Sequence, residues 1–216
     1  MKTPKGSLFY VPNKTLANLI ATEWDCQQTN VEMNQMHLTT LANTVLDNPN
    51  HLTVNKLVEK ILTFLESDTV CFRMPEPKEL AKLQAEVWDP IVQWFANQYQ
   101  INMPVTSSVL LPSLEQKTID TLNRYFRSFN IWSLTGYLYA IENLKSLILA
   151  CALMNRRLTV EDAVKYSRVE EDFQAKSWGN VEYHHDMDLA ALQTRVAAAV
   201  TFALLNCEKI SISQKR

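Results

Sequence analysis

The sequence predicts a mainly helical protein with a small α+β portion at its N-terminus, and three observations carry that prediction. Glycine occurs only three times in 216 residues, at Gly6, Gly136 and Gly179, too rarely to supply the positive-φ turns of an all-β fold. Apolar residues recur at helical spacing along most of the chain, and 47% of residues are hydrophobic against 20% charged, enough to bury a substantial core. Short β-prone runs occur only in the first half.

Taken in order, Pro4-Lys5-Gly6-Ser7 reads as a turn and Leu8-Phe9-Tyr10-Val11 as a short strand, stopped by Pro12. From Asn13 the period becomes helical, with Leu16, Ile20 and Trp24 on one stripe and an end near Gln28; this places Trp24 in the core. A second helix is expected over residues 34–47. Asp47-Asn48-Pro49-Asn50 breaks it, and Thr53 caps a third helix through Leu57, Ile61, Leu62 and Leu65. Asp68 to Arg73 reads as a strand, which needs a partner in Leu8–Val11 or Ile101–Val105 to satisfy its backbone.

The second half is helical throughout. Lys78 to Trp88 forms one helix, and Asp89 as N-cap with Pro90 at the first helical position starts another through Tyr99, giving a kinked pair. Ser113 with Gln116 forms a capping-box pattern for a helix to about Arg127. Trp132 to Met154 is apolar almost all round and marks the central buried helix of a bundle. Thr159 with Asp162 caps a helix that Gly179 closes, and a last helix spans roughly Met187 to Asn206. The apolar runs Leu144–Met154 and Val196–Leu205 are shorter than the ~20 residues needed to span a bilayer and are assigned to core helices, so no membrane span is expected. No targeting signal is visible at Met1-Lys2-Thr3-Pro4.

Charge and cysteine usage exclude several function classes. A formal net charge of −2 without a clustered Lys/Arg stripe argues against nucleic-acid binding. The four cysteines, Cys26, Cys71, Cys151 and Cys207, lack C-x-x-C spacing and point to a reducing compartment. No phosphate-cradling glycine loop or nucleophile elbow occurs.

Charge is concentrated in Ser167–Asp188, where Glu170, Glu171, Asp172, Glu182, Asp186 and Asp188 face only Arg168 and Lys176, beside aromatic surface from Phe173, Trp178 and Tyr183. That combination reads as a docking surface. Glu182, His184, His185, Asp186 and Asp188 are all metal-ligand types, but adjacent histidines on a helix diverge by about 100°. H-E-x-x-H is absent, and a polar loop with an acidic helix cap is the favoured reading. No metal, cofactor or catalytic residue is expected. Glu23 and Asp25 break a local rule, since carboxylates in the final turn of a helix oppose its dipole; such breaks mark network or functional positions. Glu170, Glu171 and Asp172 are expected in mid-helix, beyond the dipole's benefit.

Five ordered motifs carry a family resemblance: Ala21–Gln27 (ATEWDCQ), Thr39–Asp47 (TTLANTVLD), Trp88–Pro90 (WDP), Leu158–Ala163 (LTVEDA) and Ser167–Asp186 (SRVEEDFQAKSWGNVEYHHD). Together they resemble the mitochondrial ATP synthase assembly chaperones that protect the α subunit of the catalytic F1 head. The resemblance covers essentially the whole chain. It implies a non-enzymatic protein of the mitochondrial matrix or the matrix side of the inner membrane, which holds free α subunit until the β subunit replaces it. It also implies an N-terminal α+β domain, residues 1–76, followed by a multi-helical orthogonal bundle, residues 77–216. Family members carry a targeting peptide and several strands ahead of the position of Lys2, so that first domain is expected in truncated form. The partner face expected from these readings comprises Glu170, Glu171, Asp172, Trp178, Glu182 and Asp186, with Trp24, Trp88 and Gly179 structural and the free protein monomeric. The alternatives are a small helical metal-dependent enzyme using Glu182 to Asp188, and a permanent subunit of a helical complex.

Overall fold

The structure is a computed structural model that describes residues 1–108, 110–179 and 184–207, apart from the side chains of His184 and His185. Among the described residues it contains ten α-helices and no strand. They are α1 (Lys14–Asp25), α2 (His37–Asp47), α3 (Val54–Thr63), α4 (Lys78–Tyr99), α5 (Gln116–Arg127), α6 (Ile131–Leu144), α7 (Leu147–Met154), α8 (Val160–Ser167), α9 (Val169–Trp178) and α10 (His184–Leu205). The mainly helical expectation holds, while the N-terminal α+β domain is not seen.

Both expected strands are replaced by single bridges. Leu8 pairs only with Lys2, across the turn at Gly6, where φ is +87°. Asp68–Arg73 gives a 3-10 turn over Thr69–Cys71 and one parallel rung between Phe72 and Thr106. The reason lies in Asp68, which is fully buried. Its carboxylate accepts from Val70 N at 3.2 Å, which bends the chain, and from Ile148 N at 2.9 Å, at the start of α7. A residue bonded both to its own turn and to a distant helix end cannot extend into a ladder.

Caps readable from adjacent sequence behave as expected. Thr53 and Thr159 accept from backbone N–H groups of α3 and α8, and Asn13, where the helical period was expected to begin, caps α1 in the same way. Four helix boundaries differ. The expected kinked pair is one helix, α4, because Pro90 lies on an exposed face where the carbonyl it leaves unbonded meets water, and Asp89 turns to Arg73 at 2.6 Å instead of capping. The α5 N-cap is Glu115, with no side-chain bond, so the Ser113–Gln116 box does not form. The expected central helix divides into α6 and α7 at Lys145 (φ +55°), where Ser146 caps α7 through Leu149 N at 3.0 Å. The helix expected to run to Gly179 divides at Arg168 into α8 and α9.

The main core joins α3 through α8 and α10 around α7, all eight of whose residues are buried. A smaller cluster holds α1 and α2 through Leu16, Ile20, Leu38, Leu41 and Ala42, against Trp132 of α6 and Phe202 of α10. The tightest helix pair is α6 with α10. A Cβ added at Gly136 would stand 2.8 Å from the Ala199 carbonyl oxygen, Ala203 Cβ and Ala203 N. The last carbonyls of α10 receive side-chain donors: Ser133 Oγ to Ala203 O at 3.0 Å, Asn13 Nδ2 to Leu205 O at 2.9 Å and Asn130 Nδ2 to Asn206 O at 2.7 Å. Asp186–Leu205 is long and apolar enough to cross a membrane by composition alone; here it buries Val196, Ala199, Phe202 and Ala203 in the fold.

Trp24 is 36% exposed rather than buried with Leu16 and Ile20. At the end of α1 the inward position belongs to Glu23, which accepts from Leu38 N at 2.7 Å and from Thr39 N and Thr39 Oγ1 at 2.8 Å. The carboxylate opposing the dipole of its own helix thus caps the N-terminus of α2, whose N-cap Met36 supplies no side-chain bond. Trp88 is fully buried, with Nε1 donating to Tyr166 O at 2.8 Å and the Arg73 guanidinium 5.2 Å from its ring centroid.

Candidate partner-binding face

The break at Arg168 decides where the acidic triplet points. Because α9 starts at Val169, Glu170, Glu171 and Asp172 occupy its first turn, where the helix dipole favours them; the mid-helix expectation is corrected. The three carboxylates then diverge by about 100° per residue and meet different surroundings.

Glu170 points inward. Its Oε1 accepts from Gln84 Nε2 at 2.6 Å, while Gln84 Oε1 accepts from Met74 N at 2.9 Å. Gln84 is fully buried in α4, so this chain of bonds ties α9 to the segment that precedes α4. Glu171 pairs with Arg168 at 2.5 Å; the arginine side chain is 13% exposed and the glutamate 49%. Asp172 is exposed.

Two clefts flank Arg168. The first, about 500 Å³ and open, lies between the end of α6, the α8–α9 junction and α10, and gathers Lys145, Arg168, Glu171, Asp188 and Arg195. The second, about 370 Å³, lies between α8, α9 and α10 and brings Asp172 together with Asp186 and Glu161, opposite Lys165. Trp178 ends α9 with 86% of its surface exposed, seven residues from Glu171 and so on the same stripe. Gly179 follows with φ +90°, a conformation L side chains rarely adopt, and sets the exit of the chain from α9. Glu182 lies outside the described residues. Among those described, no group of three or more His, Cys, Asp or Glu is placed to hold a metal.

Gln84 and Arg168 are the residues that the sequence reading missed. Gln84 carried a signal: Leu80, Gln84, Trp88, Val92 and Phe95 form one buried stripe of α4, and a polar residue inside an apolar stripe requires a partner. Arg168 carried none, since both neighbouring segments read as helix.

Buried titratable groups lie elsewhere. Burial pushes the Asp68 carboxyl up to about 6 against four hydrogen bonds that favour its charged form, and burial likewise raises the Cys71 and Cys151 thiols far above their usual range. These thiols are inert core groups. What the α8–α10 end offers is therefore exposed charge and one large aromatic, the composition of a docking surface.

Comparison with known proteins agrees in sequence and in fold. The family model described as ATP12 chaperone protein matches residues 1–96. Protein atp12, mitochondrial, from Schizosaccharomyces pombe is 26% identical over 210 residues, spanning 92% of this chain and 72% of that protein. The crystal structure of Atp12 from Paracoccus denitrificans superposes with a TM-score of 0.84 at 26% identity, covering 95% of this chain and 88% of that one. That of the Atu1473 protein from Agrobacterium tumefaciens superposes with a TM-score of 0.86 at 26% identity, covering 95% and 76%. The sequence match reaches through α8–α10 as well as the N-terminal helices, and the fold match is nearly complete: over most of its length the chain is similar to ATP12 chaperone proteins.

Proposed function

We propose that the protein is a non-enzymatic chaperone for assembly of the F1 head of mitochondrial ATP synthase, holding free α subunit until the β subunit replaces it. A subunit awaiting its partner exposes an interface of ~800 Å² that aggregates unless covered. The observation that carries this reading is α9. It buries only Val169 and presents Glu171 and Trp178 on one stripe and Asp172 beside Asp186 on another. Basic client residues enter the two clefts, Trp178 supplies apolar holding area, and Asp186 extends the acidic rim. Matrix residence fits the mitochondrial S. pombe relative.

The division at residue 76 is kept as one of surface role. The core that α3 shares with α5 and α6 supports a single unfolding transition for both parts. The test is capture of purified α subunit by the immobilised protein, followed by addition of β subunit. Capture that β reverses supports the reading, and failure to retain α subunit sinks it.

A further inference from the structure

The chain breaks between α8 and α9 at Arg168, and two hydrogen bonds from α4 meet it from either side of the break. On the α8 side, Trp88 Nε1 donates at 2.8 Å to Tyr166 O, one of the last four carbonyls of α8, which a helix leaves without donors of its own. On the α9 side, Gln84 Nε2 donates at 2.6 Å to Glu170 Oε1. Gln84 and Trp88 stand four positions apart on one face of α4 and are both fully buried, so the two bonds leave neighbouring turns of a single element. Two helices joined at one residue can swing about it unless both are held, and here both are.

Both bonds trace back to adjacent residues ahead of α4. Met74 N donates to Gln84 Oε1 at 2.9 Å, which orients the amide so that its Nε2 faces Glu170. Arg73 places its guanidinium 5.2 Å from the Trp88 ring centroid, a contact that holds the indole in place. That guanidinium is itself fixed, donating to Asp89 Oδ1 at 2.6 Å, to Phe72 O at 3.2 Å and to Val70 O. The backbone around it is pinned by Arg73 N to Thr106 O at 2.8 Å and Thr106 N to Cys71 O at 2.9 Å. Neighbouring residues of one strap, Cys71 to Met74, are thus linked through neighbouring turns of α4 to the two sides of one break.

We infer that Arg73 and Gln84 are positioning residues for the partner-binding face: they set the angle at Arg168 and with it the direction in which Glu171, Asp172 and Trp178 point. Both act through α4 and its bonds to Tyr166 and Glu170, not by contact with the client. Apolar packing cannot do this work, because α9 buries only Val169. A face already held in its binding direction spares the ordering cost of association, so loosening the clamp should weaken capture without changing any contact residue. The dependence of capture on this clamp rests on the proposed function; the dependence of the α9 angle on it does not.

The test is the distance between spin labels at Lys82→Cys on α4 and Gln174→Cys on α9, both exposed positions, in the whole chain with Cys26 and Cys207 replaced by serine. Double electron–electron resonance should give one narrow distribution for this parent. Gln84→Met and Trp88→Phe each remove one bond while keeping an apolar group in place, and each should broaden the distribution. Arg73→Met should broaden it as Trp88→Phe does, and Arg73→Lys, which keeps a cation over the ring, should restore it. Capture of purified α subunit, compared at equal folded fraction, should fall at least fivefold in the three broadened variants and return in Arg73→Lys. A lower melting temperature with the parent distance distribution assigns these residues to stability alone and overturns the proposal, as does native capture by variants with broadened distances. Should Arg73→Met fail to fold, W88F and Q84M decide by the same two measurements. If the native chain captures no α subunit, the chaperone reading falls, and the distance distributions still decide whether the clamp sets α9.

Discussion

Reversing each carboxylate of the acidic triplet in turn separates the struts of α9 from its partner contacts. Glu170→Lys removes the only side-chain acceptor of Gln84 Nε2, a fully buried group. An orphaned buried donor costs about 1–3 kcal/mol, which at 2–4 °C per kcal/mol for a chain of this size lowers the melting temperature by roughly 2–12 °C. Glu171→Lys breaks a half-exposed pair, worth about 0.2–1 kcal/mol after solvent screening, and places a like charge beside the largely buried Arg168. The expected loss is about 0.5–2 kcal/mol, more than an ordinary surface change. Asp172→Lys forfeits only its helix-terminus interaction, about 0.3–1 kcal/mol. Stability should therefore fall in the order Glu170, Glu171, Asp172, measured by calorimetry, while α-subunit capture at matched folded fraction should fall most for Asp172 and Glu171. A tenfold loss of capture by well-folded D172K in low salt, diminishing as salt is raised, identifies an encounter contact. If E170K melts within a degree of the native protein, the Gln84 strut carries no load. If D172K and Trp178→Ala both capture normally, α9 is not the docking element.

Gly136→Ala gains up to about 1 kcal/mol of helix propensity but drives a methyl into the backbone of α10 at 2.8 Å, so overpacking of about 1–3 kcal/mol should win and the melting temperature should fall; a rise would mean that α6 and α10 separate freely. Asp68 holds its proton up to about pH 6 in the folded chain but only to about 3.8 when unfolded, so between these values the folded state binds more protons and its stability falls as pH rises. Its contribution, of order 3 kcal/mol, is full below pH 3.8 and lost above 6. The stability difference between native and Asp68→Asn should change by that order across this window, and a pH-independent difference would refute it. Trp24→Arg should fold, with a loss of about 1–2 kcal/mol, because the exposed edge of the ring position lets the longer side chain reach water; outright failure to fold would return Trp24 to the core.

Legibility in the sequence followed distance along the chain. The caps at Thr53 and Thr159 were readable because donor and acceptor lie within three residues of each other. The ends of α7 and α10 and the start of α2 were not, because their partners are remote: Asp68 reaches Ile148 across 80 positions, Ser133 reaches Ala203 across 70, and Glu23 reaches Thr39 across 16. The same remoteness hid the failure of the strand expected over Asp68 to Arg73, since the turn at Asp68 serves α7. At the candidate site the acidic concentration and Trp178 stood out by composition. Their directions did not, because Gln84 turns one carboxylate inward from a helix 86 positions away and the break at Arg168 shifts the other two by half a helix.

A holding protein has to cover its client firmly and still give way to the client's proper partner, and α9 has the physical makeup of an element that can do both. With Val169 as its single buried residue, it gains little from apolar burial, so its place depends on the Gln84–Glu170 bond, the Arg168–Glu171 pair and the charge–dipole match of its first turn. Two of these three are electrostatic and exposed on one side. A basic client residue that takes Glu171 from Arg168 would weaken the tie between α8 and α9 as it binds, and the free energy lost there is subtracted from the affinity. The complex would then be looser than its buried area suggests, through a faster off-rate. Replacing the tie by an uncharged one, Arg168→Gln with Glu171→Gln, keeps a hydrogen bond across the junction while removing the competition. A slower on-rate with an unchanged off-rate would show that the pair only steers encounter; a slower off-rate, seen as longer residence of the captured subunit in the double variant, would show that release is built into the α8–α9 junction.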